Sequence, residues 1–302
     1  MEKKDVYQIV TDRILALLDA GTVPWSKPWS THTTLDAEGN PVQHQNLVSK
    51  KPYRGINPFL LDSTAMLKGY TSPYWVSYKQ ASLLGGNVKK GEKGNLVTFW
   101  KFLDEKNPKN PLKPGKIPFL RYYNIFNLDQ TENIDVSKIP FLPVDTEGIT
   151  FDPIPNCDAI IANFENKPSI KHQGNAAFYR ESDDSVTMPE RESFKGEPAY
   201  YTTIFHELGH STGHESRCNR FDKSIGMAAF GSGSYSKEEL IAEMTASMLS
   251  GIAGIIDETI EQSAAYIDAW RKKISKDPKL VVQAAGKAQK AVDCITGVKY
   301  TT

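Results

Sequence analysis

The sequence predicts an α+β protein of two domains, and three observations lead there. The chain has 302 residues, long for one hydrophobic core and ordinary for two. Segments with helical spacing occur alongside segments dense in aromatic and branched side chains that read as strands. The formal net charge of zero hides two unlike halves: residues 1–130 carry 18 Lys+Arg against 11 Asp+Glu, or +7, and residues 131–302 carry 18 against 25, or −7. A basic module (1–130), a linker (131–150) and an acidic module (151–302) follow from that split and from the prolines at 140 and 143.

Composition excludes several classes. With 39% apolar residues, 24% charged residues, 13 Tyr, 13 Phe and 5 Trp, the chain is too aromatic and too weakly charged to be disordered. The first residues run straight into an amphipathic pattern, and no stretch approaches the ~18 apolar residues that span a bilayer. A cytoplasmic protein with no membrane partner is expected. Cys157, Cys218 and Cys294 are odd in number, far apart and without C-x-x-C spacing, which suits a reducing compartment and argues against a disulfide framework or thiolate metal site.

In chain order, Val6, Ile9, Val10, Ile14, Leu17 and Leu18 recur at helical spacing and Gly21 follows as a stop. Residues 22–29 hold two prolines and two tryptophans and read as an aromatic loop. A polar stretch leads to a helix over 58–68, with Asn57 as cap and Pro58 at its first turn, and a short helix over 77–84. Residues 95–102 and 117–126 read as a β-hairpin with a basic tip at 106–116. The second half opens with a helix over 158–164 capped by Asn156, then strands over 176–180 and 185–188 around the turn Glu181-Ser-Asp-Asp184. Helices follow over 198–213 and 237–255, and over 259–294 in two pieces broken at Asp277-Pro278.

The sharpest motif is His206-Glu207-Leu208-Gly209-His210. In a helix, residues four apart lie one turn above each other, so His206 and His210 can aim ring nitrogens at one ion, zinc or another divalent metal. Glu207 then stands beside the ion, where it can take a proton from an attacking water and hand it to a leaving amine. A catalytic zinc needs a third protein ligand. His214 continues the i+4 series but lies about 12 Å along the axis from His206, which suits a supporting or substrate-side role. Glu239 and Glu243 are four apart on one face of the next helix. Their spacing looks like the E-x-x-x-D of glutamate-liganded zincins, by which Glu239 is the ligand and Glu243 holds a ligand histidine's free N–H. Ser236-x-x-Glu239 is also a capping box, and on that reading Glu243 becomes the ligand. Tyr200, Tyr201 and Tyr235 are candidates for stabilising an oxyanion, the strand over 176–180 is a candidate edge for an extended peptide, and Arg217 and Arg220 lie where they neutralise a helix end.

The basic half mixes aromatic rings with cations, as in Trp25-Ser-Lys27, Trp29, Tyr53-Arg54, Trp75, Tyr78-Lys79, Trp100-Lys101 and Arg121-Tyr122-Tyr123, with Lys89, Lys90 and Lys93 in a glycine-rich loop. Rings can stack on exposed bases while cations neutralise phosphates, so single-stranded DNA is the candidate partner; the alternative is that the rings build a core.

Tyr53-Arg54-Gly55-x-Asn57, Val88-Lys-Lys-Gly-Glu-Lys-Gly94, Met188-Pro189, the run from Tyr200 through His214 to Arg217, and Tyr235-x-x-Glu-Glu-Leu-x-Ala-Glu243 occur in this order across nearly the whole chain. Together they resemble the plasmid-borne ArdC antirestriction proteins. The resemblance implies an amino-terminal single-strand DNA-binding domain, shared with TraC-type plasmid primases, followed by a zincin-like metallopeptidase domain. It also implies protection of plasmid DNA from host restriction during conjugation, which could arise by shielding the DNA or by binding or cleaving host restriction enzyme subunits. A DNA-dependent protease acting on DNA-bound proteins, and a DNA-binding protein with a purely structural metal site, fit the same two modules.

Overall fold

The computed structural model describes residues 5–25, 41–105, 115–135, 137, 154–221, 233–255 and 264–299, with the side chains of 102–105, 115–117, 233–235 and 264 left aside. Most of the hairpin tip (106–114), most of the linker, Lys27, Trp29 and the Tyr235 side chain therefore fall outside the described residues.

The first half is built on α1 (Val6–Asp19), β1 (Gln45–Asn46), α2 (Asn57–Lys68), β2 (Tyr74–Val76), α3 (Tyr78–Leu83), β3 (Asn87–Val88), β4 (Asn95–Glu105), β5 (Gly115–Asn127) and β6 (Thr131–Glu132). A four-stranded sheet runs β1-β2-β5-β4, with β1 and β2 parallel and the other pairs antiparallel, while β3 pairs with β6. The second half holds α4 (Ile154–Asn163), β7 (Ser169–His172), β8 (Phe178–Arg180), β9 (Ser185–Met188), α5 (Glu197–Ser211), α6 (Gly233–Ala253), α7 (Ala264–Lys276) and α8 (Leu280–Thr296). Its sheet runs β7-β9-β8, parallel then antiparallel.

The expected α+β class stands, and the hairpin pairs in unbroken register from Asn95↔Ile125 to Glu105↔Gly115. Two expected caps differ. Asn57 is the first residue of α2, and its amide instead clamps Thr98 by accepting from the Thr98 N–H at 2.7 Å and donating to the Thr98 carbonyl at 2.8 Å. The helix α4 begins at Ile154, so Asn156 lies inside its first turn. The strands β1, β2, β3, β6 and β7 went unread because two to four residues are too short to display a period.

Two cores carry the packing. In one, Val10, Ile14, Leu17 and Leu18 of α1, Trp25, and Phe59 and Leu60 of α2 lie against Leu240, Ile241 and Met244 of α6, Trp270 and Ile274 of α7, and Val281 and Ala285 of α8. Both halves of the chain thus share one interior. The other packs Cys157, Phe164, Tyr179, Val186 and Met188 against Tyr201, Ile204, Phe205 and Leu208 of α5 and Ala246 and Leu249 of α6, which seats α5 between the small sheet and α6.

Candidate metal centre and nucleic-acid face

The helix α5 begins at Glu197-Pro198, a favourable first turn, and turns its Tyr201, Ile204, Phe205 and Leu208 inward. Gly209 faces α6. A Cβ there would sit 3.2 Å from both the Ala242 Cα and the Thr245 Cβ, so glycine lets the two helices close up. That approach brings His206, His210 and Glu239 together.

The Nε2 atoms of His206 and His210 are 3.0 Å apart; Glu239 Oε2 is 3.6 Å from the first and Glu239 Oε1 is 3.4 Å from the second. Ligand atoms held about 2.0–2.2 Å from a tetrahedral ion lie about 3.3–3.6 Å from one another. The set fits a divalent cation, and it is the one such three-residue group among the described residues. His210 is buried, while His206 and Glu239 each keep about a quarter of the side chain exposed, so the centre opens on their side. Burial alone would lower the His210 pKa, but Glu238, Glu239 and Glu207 outweigh it and hold the ring up at about 9. Burial would raise Glu239, but its pairing with the two imidazoles holds that carboxyl well below its usual range. The Glu207 side chain is buried beside His206 on the helix, and its charge is felt at His210.

The capping-box alternative for Glu239 fails because α6 starts at Gly233, three residues before Ser236. Glu243 does not hold a ligand histidine: its Oε2 accepts from Trp25 Nε1 at 2.9 Å and from the Tyr266 hydroxyl. Glu238 stands nearer that task, with Oε1 3.7 Å from His210 Nδ1 and both oxygens held by Arg220. Its local sequence carries no signal for this, because the partners His210 and Arg220 lie on other segments. His214 is not part of the ligand group; its Nδ1 pairs with Ser216 Oγ at 2.8 Å beyond the end of α5.

Arg217 and Arg220 meet the end of α5 as expected, donating to the carbonyls of Ser211 (2.8 Å) and Gly209 (3.0 Å). They also reach outward, Arg217 to Asp184 in the β8–β9 turn and Arg220 to Glu238. Gly213 permits this loop, since a Cβ there would lie 2.2 Å from the Phe221 ring. The tyrosines are engaged elsewhere: the Tyr200 hydroxyl pairs with His172 Nε2 at 3.0 Å, and the Tyr201 hydroxyl donates to Asp158 and accepts from Arg191, both at 2.6 Å. The strand read at 176–180 is β8, an edge of its sheet.

The DNA-binding candidates divide sharply. Trp25 and Trp75 are 2% and 0% exposed, and their indole N–H groups are spent on Glu243 and on His44 Nδ1 (3.0 Å), so neither ring can stack on a base. Tyr53 is buried against Leu61, Trp75, Val97 and Ile125. Arg54 pairs with Asp293 of α8, and the Gly55 N–H donates to Gln289 Oε1 at 3.0 Å, so this motif fastens the first half onto α8. Lys89 Nζ donates to the Asp129 carbonyl at 2.8 Å. Tyr78, Lys79, Lys90, Lys93 and Trp100 remain exposed, Trp100 resting edge-on against Tyr7.

A more regular surface emerges on the hairpin. The pairs Val97↔Tyr123, Phe99↔Arg121 and Lys101↔Phe119 put Tyr123, Phe99, Arg121, Phe119 and Lys101 on one face. Phe99, Phe119 and Tyr123 are each at least 40% exposed. The Phe99 and Tyr123 rings meet at 5.5 Å, and the Arg121 guanidinium lies 5.5 Å over Phe119. The signal was present as alternation, since Phe99-x-Lys101 and Phe119-x-Arg121-x-Tyr123 repeat every second residue in antiparallel strands.

The fold and the His–His–Glu set define a protein with a zincin-like second domain behind an α+β first domain. Residues 4–126 match the N-terminal domain of anti-restriction factor ArdC, and residues 155–287 match the zincin-like metallopeptidase family. The crystal structure of the Mn(II)-bound antirestriction ArdC protein from plasmid R388 superposes with a TM-score of 0.75 at 35% identity, covering 97% of this chain and 98% of that one. The uncharacterized protein y4eC of Sinorhizobium fredii is 33% identical over 96% of this chain and 91% of its own length. The DNA primase TraC of Escherichia coli is 35% identical over 97% of this chain, which spans only 20% of that protein. The chain belongs to the ArdC antirestriction family. Among the described residues, no helix is long and apolar enough to cross a membrane.

Proposed function

We propose that this protein binds single-stranded DNA during plasmid transfer in the cytoplasm, shields it from restriction, and carries a divalent metal centre of metallopeptidase type, with zinc as its ion. The division at residues 131–150 between a DNA-binding part and a metal-binding part belongs to the same reading. The observation that carries it is the solvent-facing row Tyr123, Phe99, Arg121, Phe119 and Lys101, because rings stack on unpaired bases of any sequence and cations follow the backbone. Tyr78, Lys79, Lys90, Lys93 and Trp100 extend the basic surroundings.

His206, His210 and Glu239 would hold the ion, which would supply Lewis acidity to a carbonyl and to water. Glu207 accepts the proton from the attacking water and returns it to the leaving amine. Glu238, fixed by Arg220, steadies the His210 ring. A second reading, a DNA-dependent protease acting on DNA-bound proteins such as host restriction enzyme subunits, draws on the open side of the centre and the edge strand β8.

Gel retardation of a single-stranded oligonucleotide by the full-length protein tests the first reading. Binding should weaken as salt rises, and Phe99→Ala with Tyr123→Ala should cost about 1–3 kcal/mol per lost stack. Unchanged affinity in the double variant removes this face from the proposal. Glu207→Gln separates the two readings: if restriction protection in cells survives with the metal retained, proteolysis is not the protective step.

A further inference from the structure

Two of the three cysteines, 76 positions apart from 218 to 294, meet beside the metal domain. The Cys218 thiol donates to the carbonyl oxygen of Lys290 at 3.7 Å, one helical turn ahead of Cys294 on α8, which places the two thiols close enough for each to act on the other's charge. Both side chains are partly exposed, whereas Cys157 is buried in the second core. The loop holding Cys218 is tightly tied. The Cys218 N–H donates to the Thr212 carbonyl at 2.9 Å, and Asn219 takes a left-handed conformation at φ 48°, its N–H donating to the His214 carbonyl at 3.0 Å.

We propose that Cys218 and Cys294 are a modification site, forming a reversible disulfide that fastens the loop after the metal helix to α8. The oxidant is a hydroperoxide. The Cys218 thiolate attacks one peroxide oxygen, the O–O bond breaks, and the departing oxygen leaves as water once protonated, giving a sulfenic acid at Cys218. The Cys294 sulfur then attacks the Cys218 sulfur, an S–S bond forms, and the sulfenic hydroxyl leaves as a second water. Two thiols have lost two protons and two electrons, and hydrogen peroxide has become two waters.

The surroundings assign the order of attack. The neighbouring Cys294 thiol lowers the Cys218 pKa most, burial opposes it, and the positive charges of Arg220 and Lys290 also favour the Cys218 thiolate. The same contact pushes the Cys294 thiol up. A partly exposed thiolate beside a protonated second thiol is the arrangement of an attacking and a resolving cysteine. The bond would hold in place the loop whose Arg217 and Arg220 grip Asp184 and Glu238.

The test is peroxide oxidation of the full-length protein followed by trypsin digestion and mass spectrometry. The expected product joins the peptide of residues 218–220 to that of residues 291–299, about 2 Da below their sum and reverting with dithiothreitol, while Cys157 stays a thiol. In Cys294→Ser the cross-link is lost and Cys218 proceeds to sulfinic acid. If that variant does not fold, Cys218→Ala, altered in the loop rather than the helix, must likewise abolish the cross-link. Folded wild-type protein whose two peptides stay separate after oxidation, or a cross-link that includes Cys157, overturns the assignment.

Discussion

Glu239 and Glu243 stand one turn apart on α6 in opposite environments. Glu239 faces two imidazoles, and Glu243 is half-buried, its carboxyl pushed up by desolvation against the hydrogen bonds from Tyr266 and Trp25. Glu239→Ala should therefore reduce divalent-metal affinity by more than the ~100-fold typical of a supporting residue. Glu243→Ala should leave affinity within about tenfold yet lower stability, because the Trp25 indole N–H and the half-buried Tyr266 hydroxyl lose this acceptor, at about 1–3 kcal/mol for the buried indole and less for the hydroxyl. Competition with a chromophoric chelator and thermal melts of both variants measure the two effects; the reverse pattern would make Glu243 the ligand. The same contrast explains the tryptophans. An aromatic residue beside a lysine looks alike in sequence whether it faces DNA or a core, and only the distant partners Glu243 and His44 show that Trp25 and Trp75 are interior.

At the scale of elements, the centre depends on how closely α5 and α6 approach and how firmly α5 is held to its sheet. Gly209→Ala inserts a methyl group 3.2 Å from Ala242 Cα and Thr245 Cβ, which should cost about 1–3 kcal/mol and weaken metal binding as Glu239 moves off the histidines. Melts with and without added zinc would register both losses. The other anchor is Arg217, its side chain only 2% exposed, on Asp184, whose side chain is one-third exposed. Burial would raise the Asp184 pKa, but hydrogen bonds from Arg217 and Tyr179 overcome it and hold it below the usual value. A depressed carboxylate contributes stability that is present above its unfolded pKa and lost as pH falls through the folded one. Asp184→Asn should destabilise by about 2–3 kcal/mol at neutral pH, less than a fully buried pair because Asp184 is partly solvated, and should flatten the acid side of the stability profile. Unfolding midpoints between neutral pH and the acid limb would check both. The histidine pair and the hairpin were legible in sequence because their periods of four and two are local. The roles of Glu238, Arg54 and Cys218 were not, since each depends on a residue more than 17 positions away: His210, Asp293 and Cys294 respectively, the first through a contact between α5 and α6.

At the scale of the whole molecule, the charge split suggests two separable modules, and the packing argues that they unfold together. The face of α1 formed by Val10, Ile14, Leu17 and Leu18 finds its partners on α6, α7 and α8, Trp25 meets Trp270 edge-on at 5.8 Å, and Arg54 and Gly55 are fastened to Asp293 and Gln289. Severing the chain in the 131–150 region would expose this apolar surface on both pieces, at roughly 25 cal/mol per Å². Calorimetry of the intact protein should therefore give one transition with equal calorimetric and van't Hoff enthalpies. Because a ligand of the native state stabilises everything that unfolds with it, added divalent metal should raise that single transition, including a fluorescence probe at Trp100 in the hairpin, and a chelator should lower it. Two transitions, with only the second responding to metal, would show that the shared core does not couple the hairpin face to the metal centre.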